Sequence, residues 1–452
     1  MLRYWAIALV LPPLLTLVLF GGVHTAVWAA LVAAAGAVLL ASVREQLAAG
    51  GPTVHPRHLR WLAIPYLLAL ALVALQLWPA PPAGLAHPLW ASAGQALATA
   101  VTPRVSLAPA DTLDALMRLA AYGALFWVAV QAGRSRYVAR AVLRWVAAGC
   151  TAFAVYGLVV YLGGLGTVLW LEGTPGEVTG TLVNRNNAAT VLGTGWLTVT
   201  ALLLGELRER LGGAETAGER RRVVAGYLLG SGLWLTGAWL TLLSALLLTH
   251  SRAGVVTSLL GLIVVVLLLL SRRVFGALVR RTVVALIALG LLATLALSGG
   301  VTLDRLAGTE LETEQRFDAY AVVLDAAGDA PWIGTGLGTF REVFRFYQPA
   351  DLPGQWGMAH STYLELLLTG GWPLALLLVL PGVVAIGTCL VSAPMRRRDG
   401  HIPTLAGAVG LQVGLHSAVD FSLQIPAIAA MTAVLLGVGV AQAWSSRAEL
   451  SR

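Results

Sequence analysis

Three polar clusters interrupt an otherwise apolar chain: Asn184-Arg185-Asn186-Asn187, His250-Ser251-Arg252, and His360 at the end of the polar stretch 299–361. Arginine or histidine beside membrane-spanning segments is costly, so each needs a counter-charge, a water-filled cavity or an anionic ligand. Guanidinium groups grip oxyanions through two parallel N–H bonds and have no proton to lose near neutral pH. Imidazole can take up and return a proton in that range. Two arginines and a histidine converging on one membrane face suggest a site for an anionic substrate.

The elements that position these residues follow from composition. The chain has 452 residues, 58% hydrophobic and 12% charged, with mean hydropathy +0.78. Soluble domains carry about 25% charged residues, so this is an all-α integral membrane protein. Formal charge is +8 and all 30 basic residues are arginine, scattered between apolar runs. That scatter fits the positive-inside rule and argues against nucleic-acid binding. Cys150 and Cys389 lie far apart inside apolar runs and read as packing residues. The first run, Trp5 to Gly22, is followed at once by others, which makes it an uncleaved first span and not a leader.

A spanning helix needs roughly 20 apolar residues. Such runs lie near 5–22, 24–42, 61–79, 116–133, 141–163, 187–205, 224–247, 253–270, 282–298, 362–391, 403–420 and 425–445. The run 362–391 is long enough for a tilted span with a kink near Pro373 or Pro381. With the N-terminus in the cytoplasm, 22 of the 30 arginines fall inside, as the positive-inside rule requires. The expectation is twelve spans with both termini cytoplasmic. Residues 1–298 hold spans 1–9, residues 299–361 form one large periplasmic segment, and residues 362–452 hold spans 10–12 with a short tail. The outer arginines are Arg104, Arg118, Arg185, Arg252, Arg305, Arg316, Arg341 and Arg345. Arg104 and Arg118 are expected to snorkel to lipid headgroups.

The outer segment carries nine of the 22 acidic residues. Phe317, Tyr320, Ala321 and Leu324 repeat with helical spacing, and Gly328 and Pro331 end the pattern. Stretches this long usually form a lid or wall. Glu310, Glu312 and Glu314 alternate on a polar loop with no histidine nearby, so a solvated face is preferred to a metal site. Gly334-Thr335-Gly336-Leu337-Gly338 follows a helix and a Pro-Trp turn, not a strand, and reads as a tight turn instead of a phosphate loop.

The clusters together resemble the O-antigen ligase and O-antigen polymerase superfamily of bacterial envelope glycosyltransferases. The resemblance covers about residues 180–425 and rests on residues in a fixed order: Asn184-Arg185-Asn186-Asn187, Ser251-Arg252-Ala253-Gly254 and Glu314-x-Arg316. It continues through the Pro331–Phe340 turn, His360-Ser361-Thr362-Tyr363-Leu364-Glu365 with Gly371, and His416-Ser417-Ala418-Val419-Asp420-Phe421. It implies transfer of a glycan from undecaprenyl diphosphate to an acceptor hydroxyl on the periplasmic face of the bacterial inner membrane, without metal or cofactor. Arg185 and Arg252 would contact the diphosphate and His360 would activate the acceptor. Asn184, Asn187, Arg316, Tyr363 and Glu365 would line the substrate site.

Structural readings stand beside these. Arg185 can be the capped start of a helix, Arg252 can pair with an acid of the outer segment, and His360 can cap the next helix with Glu365 balancing it. Arg316 is as readily structural as catalytic. His416 and Asp420, four apart, can bond to each other within the bundle and are read as structural. Transfer to lipid A core, as in lipopolysaccharide biosynthesis, is the first reading because the His360 segment resembles the ligase branch. Glycan polymerisation is the alternative and a protein-glycosylating relative a third. A lipid-glycan transporter is the remote rival, disfavoured because the two halves show no repeat.

Overall fold

The computed structural model describes residues 2–82, 84–172, 176–214, 216–270, 303–396 and 398–444. In hydrocarbon every backbone N–H and C=O must be satisfied internally, so an apolar chain folds into helices. The described residues form α1 (Leu2–Val18), α2 (Thr25–Ala48), α3 (Arg60–Gln76), α4 (Leu89–Leu97), α5 (Pro109–Gly133) and α6 (Arg136–Leu162). There follow α7 (Arg185–Leu211), α8 (Ala217–Leu229), α9 (Leu233–Leu248), α10 (Arg252–Leu269), α11 (Leu303–Asp329) and α12 (Phe340–Tyr347). The last are α13 (Thr362–Ser392), α14 (His401–His416) and α15 (Pro426–Ala443). Thr167–Val168 and Leu171–Glu172 make a short antiparallel hairpin.

This is a multi-pass, all-α membrane protein. Among the described residues, eight helices are long and apolar enough to span, and nine if the bent pair α8–α9 is one span. The shorter α1 and α14 match the expected first and eleventh runs. The expected span 282–298 lies outside the described residues.

Helices α7 and α15 form the centre, each with 89% of its most apolar stretch buried. Small residues let the neighbours approach. A Cβ on Gly193 would stand 2.1 Å from Ser258 Oγ and 2.4 Å from Gln412 Nε2, and one on Gly195 would stand 2.5 Å from Cys150 Cβ. Van der Waals contact of this kind replaces the hydrophobic drive that lipid cannot supply. Cys150 and Cys389 are free and buried, as expected of packing residues.

Two expectations are corrected and two are given detail. The run 224–247 is broken: α8 and α9 meet at 71° across Gly230-Ser231-Gly232, where Gly230 leaves helical geometry (φ −113°, ψ −111°). The kink expected near Pro373 or Pro381 is present in α13 at Gly371 (φ 70°, ψ 173°), two residues before Pro373. There Trp372 N donates to the Pro331 carbonyl at 2.8 Å, so the turn after α11 wedges the helix open. Helix α11 exists and ends at Asp329, but its buried face is Ala319, Val323 and Ala326, leaving Phe317 and Leu324 66% and 52% exposed. Arg104 and Arg118 each have a protein partner as well: Arg104 Nη1 donates to the Leu77 carbonyl at 2.7 Å, and Arg118 lies over Trp28.

The bundle has two chemically different ends. At one, Arg140 pairs with Asp399 and Glu209, and Glu206 joins Arg144 and the Tyr227 hydroxyl at 3.0 Å each. Arg134 and Arg396 donate to the Trp444 carbonyl at 3.1 and 2.9 Å, where cations oppose the negative end of α15. The heads of α7, α10 and α13 lie at the opposite end.

The packing yields a paired test. Gly193→Ala overpacks a buried contact and is expected to destabilise by about 1–3 kcal/mol. At Gly237 a Cβ meets nothing within 4 Å, so Gly237→Ala is expected to be neutral or stabilising. Thermal unfolding in detergent measures both; equal midpoints would contradict the packing.

Candidate functional site

The site is assembled from helix starts. Asn184 caps α7, its Oδ1 accepting from Asn186 N at 2.8 Å and Asn187 N at 3.2 Å. Ser251 caps α10, its Oγ accepting from Gly254 N at 3.2 Å and donating to Asn186 Oδ1 at 2.8 Å. The two heads are thereby stitched together, and Arg185 and Arg252 are the immediate chain neighbours of the bonded pair. A Cβ on Gly254 would lie 2.3 Å from Ala189 Cβ, so only glycine allows this approach. Arg185 Nη1 pairs with Glu177 while its side chain stays 36% exposed, and Arg252 is exposed.

The third head is that of α13. Ser361 caps it, Thr362 N donates to the Ser417 carbonyl at 2.9 Å, and the Tyr363 hydroxyl donates to the Gly414 carbonyl at 2.7 Å. These contacts fasten α13 to the end of α14. Immediately before the cap, His360 adopts φ +51°, a costly conformation for a residue with a Cβ. The Tyr320 hydroxyl holds it by donating to the His360 carbonyl at 2.7 Å. The buried Glu365 supports the same loop by accepting from Ala359 N at 3.0 Å. Phe421 and Trp356 present edges to the imidazole at 5.2 and 6.0 Å.

His360 Nδ1 lies 3.7 Å from Asp420 Oδ1, with His360 25% exposed and Asp420 wholly buried. This exceeds a hydrogen bond but lies within ion-pair reach, and such bonds often tighten only when substrate binds. The other carboxylate oxygen is 3.4 Å from Ser422 Oγ, which is itself 3.3 Å from Asn187 Oδ1. Polar contacts thus run from the α10 head through the α7 head to His360. Three helix N-termini meet there, each a partial positive charge that favours an anion.

The structure gathers Asn184, Arg185, Asn187, Arg252 and His360 at one end of the bundle. Tyr363 and Glu365 sit there too, the Tyr363 hydroxyl occupied in fastening α13 to α14 and Glu365 in holding the His360 loop. Half-buried Arg316 lies on α11. Burial raises the Tyr320 hydroxyl above the usual phenol range, opposed by Arg316 and reinforced by Asp420, which keeps it a donor at neutral pH. The pairing of His416 with Asp420 is corrected. Helix α14 stops at His416, so Asp420 leaves the helical face and turns to His360. The side chains of Glu310, Glu312 and Glu314 lie outside the described residues. The first four amides of the glycine turn are all engaged within the protein. Gly334 and Gly336 donate to Ala330 and Thr369 carbonyls, and Leu337 N donates to Gln76 Oε1 at 2.9 Å. It is a structural turn, as its sequence context implied. Gln76 and Glu177 carry no motif that would have singled them out.

Tyr320→Phe removes the bond to the His360 carbonyl, a net loss of about 0.5–1.5 kcal/mol. Hydrogen exchange of residues 357–361 should accelerate while α7 is unchanged. Unaltered exchange in that loop would show that Tyr320 does not hold it.

No curated protein matches the chain. Residues 237–379 match the family model described as O-antigen ligase. The matched stretch takes in Arg252, Arg316, His360, Tyr363 and Glu365; the head of α7 and Asp420 lie outside it. Over these residues the chain is similar to that family, and the match supports the O-antigen ligase superfamily that its motifs resemble.

Proposed function

We propose that this protein transfers a glycan from a polyprenyl diphosphate, undecaprenyl diphosphate in bacteria, to an acceptor hydroxyl at the end of the bundle where α7, α10 and α13 begin. The observation that carries the reading is the Asn186–Ser251 bond, which brings two arginine-bearing helix heads together above a histidine–carboxylate pair. The arginine-rich opposite end supports a cytoplasmic assignment there, hence a periplasmic site in the inner membrane with residues 299–361 as its wall.

The chemistry follows from the groups present. With Nδ1 directed at Asp420, His360 Nε2 is left to take the proton of the acceptor hydroxyl. The acceptor oxygen forms its bond to the anomeric carbon as the bond from that carbon to the diphosphate oxygen breaks. The electron pair leaves with the diphosphate, whose growing charge Arg185, Arg252 and the helix N-termini stabilise. The imidazolium formed on His360 is balanced by the Asp420 carboxylate, and its proton then passes to water. Each part needs only groups of the chain, so a metal ion has no assigned role.

Lipid A core is the preferred acceptor, with polymerisation of carrier-linked units as the alternative that shares the donor. A deletion strain separates them: full-length glycan on the carrier supports ligation, and single repeat units support polymerisation. Carrier-linked glycan accumulating on the cytoplasmic face would instead support a transporter.

Arg185→Ala and Arg252→Ala are each expected to lower transfer by about 10²–10³-fold at matched expression. Lysine should rescue poorly because a point charge replaces a planar fork. Near-normal transfer by either alanine variant removes that residue from the mechanism. His360→Ala should lose turnover yet keep donor binding; loss of both would place His360 on the diphosphate instead.

Purified protein is expected to retain transfer in excess EDTA. Loss of activity reversed only by a divalent cation would return Glu310, Glu312 and Glu314 to the site.

A further inference from the structure

Beneath Asp420 lies a set of buried polar side chains that the transfer reaction, as described, does not use. Thr190 Oγ1 is 2.6 Å from His416 Nδ1 and 2.9 Å from Ser422 Oγ, and Ser422 Oγ is 3.4 Å from Asp420 Oδ2. His416, Ser422 and Asp420 are each 0% exposed, as is Thr190. These residues come from α7, the end of α14 and the turn before α15, so three parts of the chain supply one continuous row.

A hydroxyl has one proton to donate, and that fixes the direction of the row. A carboxylate without solvent needs donors. Ser422 can give its proton to Asp420, to Asn187 Oδ1 at 3.3 Å, to Thr190 or to His416 Nδ1 at 3.4 Å. A bond to an ionised acceptor is roughly twice as strong as one between neutral groups, so the carboxylate takes it. Ser422 must then accept from Thr190. Thr190 has spent its proton and must accept in turn, from the imidazole 2.6 Å away. The competing Asn186 carbonyl, 3.2 Å from Thr190 Oγ1, is neutral and farther. With Nδ1 bare and taking the Thr190 proton, either the 2.9 Å contact between Thr190 and Ser422 holds no proton or Asp420 loses the Ser422 donor, and each is the costlier arrangement.

We infer that His416 carries its proton on Nδ1 and heads a relay through Thr190 and Ser422 that holds the Asp420 carboxylate in place for His360. His416 is thus a positioning residue for the transfer reaction, acting through three intermediates and never touching substrate. Because Thr190 lies on the helix that starts at Arg185, the relay also ties the arginine-bearing head to the histidine–carboxylate pair. The inference rests on the proposed roles of His360 and Asp420, whereas the direction of the relay is a property of the resting protein.

Two measurements test it. In protein labelled with ¹⁵N-histidine in lipid nanodiscs, with the His416 resonances assigned by His416→Gln, Nδ1 should be protonated and Nε2 bare. A proton on Nε2 with Nδ1 bare overturns the relay whatever the activity. In steady-state transfer, Thr190→Val should lower kcat about ten- to a hundredfold with donor KM near wild type, and Thr190→Ser should restore most of it. A Thr190→Val enzyme with wild-type kcat, alongside an inactive Arg185→Ala, removes the relay and leaves the transferase reading standing. Arginine variants that transfer normally remove the diphosphate reading, and the His416 tautomer then decides the relay by itself.

Discussion

Asp420 has no exposure to solvent, and a buried carboxylate costs several kcal/mol unless it is paired and hydrogen-bonded. That constraint organises one end of the molecule. It draws His360 from the loop before α13 and Ser422 from the turn before α15, and through Ser422 it reaches the head of α7. The same turn receives Thr362 of α13, whose backbone N–H and hydroxyl approach the Ser417 and Asp420 carbonyls. The meeting of α7, α13, α14 and α15 around one carboxylate leaves His360 partly exposed beside it.

The other end is built on different terms. There arginines outnumber their acidic partners, and the pairs formed by Arg140, Arg144, Asp399, Glu206 and Glu209 tie α6 to α7 and to the turn before α14. Except for buried Asp399 the partners are partly exposed, so the worth of the outer pairs lies in fixing orientation more than in stability. A rigid cross-link at that end and small-residue packing through the centre leave the helix heads of the candidate site precisely registered, at a place where an anion is favoured three times over by N-terminal dipoles.

Much of this was legible in the sequence because it was local. Asn184 and Ser251 announce helix starts, each beside an arginine that a lipid-facing span would not keep, and the apolar runs give most of the helices to within a few residues. The glycine turn was correctly read from what precedes it. What was not legible depended on distance or on a helix ending. Asp420 seemed to pair with His416 because four-residue spacing implies one helix face, but α14 stops at His416. Gln76 reaches Ile333, Leu337 and Thr369 from far along the chain and has no neighbouring motif. On α11 the small residues Ala319, Val323 and Ala326, not the large Phe317 and Leu324, face the protein, since close packing against α13 leaves little room.

The central claim is that His360 and Asp420 act as one unit in moving the acceptor proton. A double-mutant cycle on kcat for glycan transfer, using His360→Ala, Asp420→Asn and the double variant at matched folding, addresses it directly. The expected result is a loss of about 10²–10⁴-fold for His360→Ala, a substantial loss for Asp420→Asn, and a double variant no slower than His360→Ala. Independent effects that multiply in the double variant, or an Asp420→Asn enzyme at the wild-type rate, would contradict it.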